Sequence, residues 1–162
     1  MRSRRARAPR LPGGARALAW CETTDGRVLA GDREALHVLP DGPRLPWEQV
    51  QAADWDRDAS VLTVSEVGAW GEQRPVHRFA LEAPDRLLEL VRERVTATVL
   101  LQRHAPVRGV RGVRVIARRG PVGDRPISWI YEYDEGVDPD DPAVRRAARA
   151  LLAEAHEELG LL

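Results

Sequence analysis

The fold is decided by residues 84–95, Pro-Asp-Arg-Leu-Leu-Glu-Leu-Val-Arg-Glu-Arg-Val, which form the first clear helical pattern in the chain. Pro84 suits a first helical position, where its missing N–H would have no partner anyway, and Asp85 adds negative charge where the helix dipole favours it. Apolar side chains recur at helical spacing and form one stripe, at Leu87, Leu88, Val91 and Val95. The stretch predicts an amphipathic helix that begins at Pro84 and ends near Arg94.

Six short strand-like runs precede this helix, and turn residues separate them. Gly31-Asp32 predicts a tight hairpin, and the polar connection Asp56-Arg57-Asp58 predicts another. Residues 40–46 contain three prolines and are predicted to form a loop. The six runs are residues 15–21, 27–30, 34–39, 50–55, 61–65 and 76–81. Strands at this close spacing predict an antiparallel sandwich or partly open barrel that the helix caps.

The chain beyond the helix predicts a strand-rich extension and a second helix. Strands are expected at residues 95–104, 111–119 and 127–134, because β-branched and aromatic side chains dominate there. Asp141 is the candidate N-cap of the last helix, Pro142 occupies its first turn, and Gly160 lies near its end. The predicted fold class is therefore α+β.

A resemblance to a known family follows from this order and from two phrases. Residues 45–50 (Leu-Pro-Trp-Glu-Gln-Val) and 53–55 (Ala-Asp-Trp) resemble the segment that leads into a strand in bacterial pleckstrin-homology-like (PH-like) domains. The whole chain is similar to actinobacterial proteins that follow such a domain with segments like residues 112–119 and 134–142. The resemblance implies a PH-like domain over residues 15–95, with residues 96–162 docked on it, and it implies no activity.

The composition is that of a globular protein. The 162 residues have a formal net charge of zero, and 43% of them are hydrophobic, as in an ordinary globular protein. All of the formal positive charge is arginine, and a GC-rich genome is favoured over a selected arginine function as the reason that lysine and asparagine are absent. Residues 1–14 hold five arginines, no acid and no periodicity and are expected to be a disordered basic tail. An export signal is not expected, because prolines and glycines interrupt the apolar stretch that it requires. No run reaches the roughly 18 apolar residues of a membrane helix. The single cysteine suits a reducing compartment, so a cytoplasmic protein is expected.

Nucleophilic catalysis has weak support in the sequence. No Gly-x-Ser-x-Gly motif is present, and Cys21 is the single cysteine. Cys21 could pair with His37 or His77, although a buried strand cysteine is the favoured interpretation. The chain is therefore expected not to be an enzyme, and no cofactor is expected.

An acidic cluster in the late loop raises the question of a metal site. Carboxylates of this kind bind Ca²⁺ or Mg²⁺ through oxygen, but the spacing is not that of an EF-hand and two prolines restrict how the side chains converge. The cluster comprises Asp134, Glu135, Asp138, Asp140 and Asp141. A solvated loop that caps the last helix is favoured, and no metal is expected.

The late hairpin carries the strongest charge asymmetry of the chain. Residues 94–119 contain seven arginines and no acid, whereas residues 132–141 contain six acids and no arginine. If the two strands pair about Gly123, Arg114 lies opposite Glu132 and the valines of one strand lie opposite aromatic side chains of the other. In that register Arg108, Arg111 and Arg119 have no obvious partner. The candidate binding residues are Arg108, Arg111, Arg114, Arg118 and Arg119.

Two functions follow. The favoured one is a non-catalytic protein-binding or scaffold module, since PH-like folds offer an open sheet edge and a groove beside the helix. The alternative is an accessory nucleic-acid-binding protein that uses the arginine-rich hairpin at residues 108–119. Phosphoinositide binding is not expected, because residues 22–27 hold two acids and one arginine; homo-oligomerisation stays open. Trp20, Trp55 and Trp129 are predicted in the core, and Trp70, between two glycines, is a candidate exposed anchor.

Overall fold

A computed structural model describes residues 7–68 and 73–161. Within those residues, ten antiparallel strands form three sheets and two α-helices accompany them, so the predicted α+β class is confirmed. The chain divides into two compact units. The first contains the residues up to 98 together with 120–124, and the second contains residues 99–119 and those from 125 onward.

The first unit contains two sheets and one helix. Strands β1 to β4 form a four-stranded meander, and β5 to β7 form a three-stranded one. Their bounds are Ala19–Glu22, Val28–Gly31, Ala35–Leu39 and Arg44–Pro46 for β1 to β4, and Val50–Asp56, Val61–Glu66 and Val76–Ala80 for β5 to β7. Helix α1 spans Asp85–Ala97 and packs on β1, β2 and β5.

Two boundaries differ from the sequence prediction. The loop predicted at residues 40–46 contains β4, a three-residue edge strand that pairs with β3 alone. Its one proline, Pro46, is tolerated because an edge strand needs ladder hydrogen bonds on one side only. Helix α1 continues past Val95, where a strand was predicted, because Val95 still packs against the core. Thr98 ends the helix by donating its hydroxyl to the Val95 carbonyl at 2.7 Å.

Trp47 lies at the centre of the first unit. Its side chain is fully buried, and its indole N–H donates to the Asp32 carbonyl at 3.0 Å. Of the tryptophans predicted in the core, Trp20 and Trp55 are only partly buried in this unit and Trp129 is partly buried in the other. The sequence analysis placed tryptophans in the core because they lie in predicted strands. Trp47 lies instead in a short 3-10 helix after β4, where the alternation of side chains along a strand does not apply.

The start of the described chain packs against the first unit. Leu11 is 5% exposed and contacts a small cluster with Ala17 and Ala30. This packing differs from the disordered tail expected over residues 1–14, because Leu11 is buried and Arg10 forms a β-bridge with Arg16. Residues 1–6 of that expected tail lie outside the described part of the chain.

The second unit is a three-stranded sheet covered by a helix. Strands β8 (Val99–Arg108), β9 (Arg111–Arg118) and β10 (Ser128–Tyr133) pair in the order β10-β9-β8, and helix α2 spans Pro142–Glu158. The predicted β9–β10 register is confirmed at all six pairs, including Arg114 with Glu132. Asp141 caps α2 as predicted, since its carboxylate accepts from the Ala143 N–H at 2.8 Å. The core of this unit lies between α2 and the valines of β9.

Candidate functional site

Strand β5 has a free edge, which follows from the hydrogen bonds of its neighbour. β6 lies between β5 and β7, and successive residues of a central strand direct their N–H and C=O groups to opposite sides. The Glu66 N–H donates to Pro75 at 2.9 Å, and the Ser60 carbonyl accepts from Leu81 at 3.0 Å. Even-numbered residues along β6 therefore bond toward β7, and odd-numbered ones bond toward β5.

The register between β5 and β6 determines which residues of β5 direct their backbone groups away from β6. Thr63 of β6 lies opposite Asp54, so Asp54 exchanges backbone hydrogen bonds with β6. The neighbouring residues Ala53 and Trp55 must then direct their N–H and C=O groups away from β6. Within the described residues no hydrogen bond occupies these outward groups. Residues 53–55 thus offer unpaired donors and acceptors at a strand edge.

A groove of about 520 Å³ adjoins this edge and separates it from α1. Its floor is made by Leu62 and Val91, which are buried. The partly exposed side chains of Trp55, Leu88 and Val95 provide its apolar walls. These walls lie beside the outward backbone groups of β5, so the groove combines apolar contact with main-chain hydrogen bonding.

Charged side chains of both signs line the rim of the groove. Asp54 and Arg57 belong to β5 and the turn that follows it, and Arg92 belongs to α1. All three are exposed, and none forms an ion pair within the part of the chain that the structure describes. Exposed charges of mixed sign contribute orientation and selectivity to binding more than affinity.

The arginines of the late hairpin are mostly engaged by carbonyl and carboxylate groups of their own unit. Arg108 lies 2.7 Å from the Asp141 carboxylate, and Arg114 lies 3.7 Å from Glu132. Arg111 donates to the Glu135 carbonyl at 3.2 Å. Arg108 and Arg111, for which the predicted strand register offered no obvious partner, therefore have partners in the structure. The loop that leads into α2 supplies both partners, which strand register alone does not reveal.

The other two candidate arginines are partly or fully withdrawn from solvent. Arg118 is 4% exposed, and this burial lowers the pKa of its guanidinium, an effect that Glu132 opposes. Arg119 is half-buried. The structure therefore does not gather the five guanidinium groups on one open surface: Arg108 and Arg111 are exposed, Arg114 and Arg119 are intermediate, and Arg118 is buried.

The acidic cluster divides into separate structural roles. The Asp134 carboxylate accepts from the Gly112 N–H at 2.7 Å and lies 2.8 Å from His104, and these two partners lower the pKa of Asp134. Asp140 pairs with Arg145, and Asp141 caps α2. Among the described residues, no three or more His, Cys, Asp or Glu side chains are arranged to hold a metal ion.

Cys21 does not meet either histidine that was considered as its partner. Its Sγ donates to the Glu82 carbonyl at 3.1 Å, whereas His37 lies 2.8 Å from Asp32 and His77 lies 2.7 Å from Glu66. Cys21 is 7% exposed, and burial raises the pKa of its thiol. An activated thiolate requires the opposite shift, so the geometry is that of a structural cysteine.

Cys21 is therefore expected to react slowly with a disulfide reagent such as Ellman's reagent while the protein is folded. The thiolate is the attacking species. Burial limits the access of the reagent to the sulfur, and the raised pKa lowers the fraction of Cys21 that is thiolate. Release of thionitrobenzoate measures the rate, and the same protein in denaturant supplies the control with an accessible thiol. A folded-state rate equal to the denatured one would contradict the buried position.

Trp70, the candidate exposed anchor, lies outside the described residues. Trp55, which the sequence analysis placed in the core, is instead partly exposed and lines the groove beside β5. The sequence analysis expected a groove beside the helix, but it placed Trp55 in the core and Leu88 and Val95 in the apolar stripe, so it named none of the three as a binding residue. A partly polar setting around Trp55 in the sequence Ala-Asp-Trp-Asp-Arg was the available signal.

Comparisons of the chain with family models, with curated proteins and with solved structures find no match. Among the described residues, no helix has both the length and the apolar character needed to cross a membrane.

Proposed function

We propose that this chain is a non-catalytic protein-binding module that captures an extended segment of a partner protein along β5. The observation that carries the proposal is the outward-facing backbone of Ala53 and Trp55 beside an apolar groove. An extended peptide that pairs with such an edge gains main-chain hydrogen bonds from the strand and side-chain contacts from the groove.

The order of elements in the first unit supports the same proposal. A four-stranded sheet, a three-stranded sheet and one amphipathic helix follow each other along the chain, which is the order in the PH-like superfold. We take the first unit to be a PH-like domain on this basis and on the resemblance of residues 45–55. A PH-like fold would account for the strand edge and the groove, whereas the proposed peptide binding rests on the residues of the site itself.

The partner segment is expected to alternate apolar and polar residues. Side chains of a strand point to opposite faces in turn, so every second residue of an added strand would face α1. There it would contact Leu88 and Val95, while the intervening residues would remain in solvent. A segment of four to six residues with two apolar positions two apart fits this arrangement.

Peptide display tests the proposal directly. A library of random peptides is selected on the folded protein, and the affinity of a selected peptide is measured by fluorescence anisotropy. Ala53→Pro removes one outward N–H without removing a hydrogen bond to β6, so we expect it to weaken peptide binding by about tenfold, the worth of one hydrogen bond of roughly 1.4 kcal/mol.

Arg78→Pro is the matched control. Arg78 is exposed on β7, the opposite edge of the same sheet, and its backbone points away from β6 by the same alternation. This variant should bind the selected peptide as the wild type does. If no peptide is selected, or if Ala53→Pro and Arg78→Pro bind equally well, capture along β5 is wrong.

Nucleic-acid binding is less well supported than peptide capture. Arg108 and Arg114 face carboxylates, Arg111 donates to a carbonyl, and Arg118 is buried. A phosphate backbone would have to displace these partners, whereas no partner has to leave the β5 edge. Retention of the wild type on heparin, lost in an Arg111→Ala/Arg119→Ala variant, would reverse this order.

A further inference from the structure

A second cavity of the first unit lies away from the β5 groove. It has a volume of about 490 Å³, within the range of small-ligand sites, and forms where the turn between β2 and β3 meets residues 15–18 and residue 122. Its wall includes Arg16, Leu18, Arg33 and Val122. Neither the proposed function nor the fold accounts for this combination.

The apolar part of the cavity is unusually exposed. Leu18 is 43% exposed and Val122 is 38% exposed, and both belong to the few large apolar side chains that the described chain leaves in solvent. The backbone holds Leu18 in place, because its N–H donates to the Gly31 carbonyl at 2.8 Å. Two large apolar side chains therefore line this cavity and remain without full cover.

Two acidic and two basic residues line the cavity, and the acidic ones have partners. The Asp32 carboxylate accepts from the N–H groups of Glu34 and Ala35 and lies 2.8 Å from His37, so its oxygens are occupied. Glu34 lies 3.8 Å from Arg44. Arg16 and Arg33 are exposed, and neither forms an ion pair within the described residues. The cavity thus presents two unpaired guanidinium groups next to apolar side chains.

We infer that this cavity binds a small amphiphile with a carboxylate head and a short apolar body. The head meets the guanidinium groups of Arg16 and Arg33, with which a carboxylate forms charge-assisted hydrogen bonds. The body covers Leu18 and Val122, whose burial stabilises the complex in proportion to the apolar area removed from water. The proposed binding is non-covalent, and the ligand is not chemically changed.

Octanoate is the probe, and octylammonium is its cationic counterpart with the same apolar chain. Titration of ¹⁵N-labelled protein should produce saturable amide shifts at Leu18, Arg33, Glu34 and Val122 with octanoate and none with octylammonium. Arg33→Ala should weaken octanoate binding by about tenfold, the lower end for a hydrogen bond to a charged group. Leu18→Asp should abolish the binding, because it sets a negative charge beside the head.

Matched variants separate this site from general adsorption. Val110→Asp changes an apolar side chain that is 86% exposed outside the cavity, and Arg146→Ala removes an exposed arginine of α2. Both should bind octanoate as the wild type does. Ala53→Pro should also bind it normally, so failure of peptide capture and failure of this inference are distinguishable. Equal binding of the two amphiphiles, absence of octanoate shifts, or an equal loss in Val110→Asp would overturn the inference.

Discussion

Replacing Asp32 by alanine is expected to lower the free energy of unfolding by about 3–5 kcal/mol. The Asp32 side chain is buried, and its carboxylate accepts from Glu34 at 2.7 Å, from Ala35 at 2.8 Å and contacts His37 at 2.8 Å. Removal of the carboxylate leaves these groups without partners where water cannot replace it. Urea denaturation followed by tryptophan fluorescence measures the loss, since Trp47 bonds to the Asp32 carbonyl.

The same network gives a pH dependence of known sign. Burial raises the pKa of Asp32, but the donors from Glu34, His37 and Ala35 outweigh it, so the folded-state pKa lies below the unfolded value of about 3.9. A lowered carboxylate pKa stabilises the fold fully above the unfolded value, and this contribution is lost as pH falls through the folded value. The stability difference between wild type and Asp32→Asn should therefore narrow below about pH 4.

Asp41→Ala is the control for both measurements. Asp41 is exposed in the turn between β3 and β4 and has no ion pair within the described ranges, so its removal should change stability by less than about 0.5 kcal/mol. If Asp32→Ala and Asp41→Ala lose similar stability, the buried network does not stabilise the first unit as described.

The late hairpin could be predicted from sequence because its information is local. Val113, Val115 and Ala117 share one face of β9 and lie opposite aromatic side chains of β10, and a shift of one residue would set a valine against Glu132. The ends of α2 were equally predictable, since Asp141 and Pro142 act within one turn of the helix. Strand register and helix ends can be predicted from neighbouring residues alone, because they depend on side-chain alternation and on cap positions.

The Asp32 network shows where such local information ends. Gly31-Asp32 predicted the turn correctly, but the contacts with His37 and with Trp47 join residues 5 and 15 positions away. Nothing in the spacing of these residues states that their side chains meet. The pairing of Arg108 with Asp141, 33 residues apart, was missed for the same reason.

The candidate groove required a different kind of knowledge. A free strand edge is a property of the sheet order, and β5 is an edge only because β6 lies on one side of it and no strand lies on the other within the described residues. The sequence supplied Leu88 and Val95 as an apolar stripe but could not say which of them stay partly exposed. Sheet topology, and not residue type, separates a wall of the groove from the core.

Gly112→Ala is expected to destabilise the second unit by about 3 kcal/mol or more. A Cβ at this position would lie 1.9 Å from the Ala105 carbonyl oxygen and 2.8 Å from the Pro106 Cα, both of them backbone atoms of β8. A flexible side chain could rotate away, but here β8 itself would have to move. The shift would also disturb the Asp134 carboxylate that accepts from the Gly112 N–H at 2.7 Å.

Gly123→Ala separates this steric effect from the conformational cost of replacing a glycine. Gly123 has a φ of +78° and no atom within 4 Å of its Cβ position, so alanine there should cost about 1–2 kcal/mol through backbone strain alone. Gly112 has no such φ, so its cost arises from the close approach of β8. Urea denaturation gives both losses, and hydrogen exchange of the β9 amides should accelerate in Gly112→Ala only. A Gly112→Ala protein as stable as Gly123→Ala, with unchanged β9 exchange, would mean that β8 and β9 do not approach each other this closely.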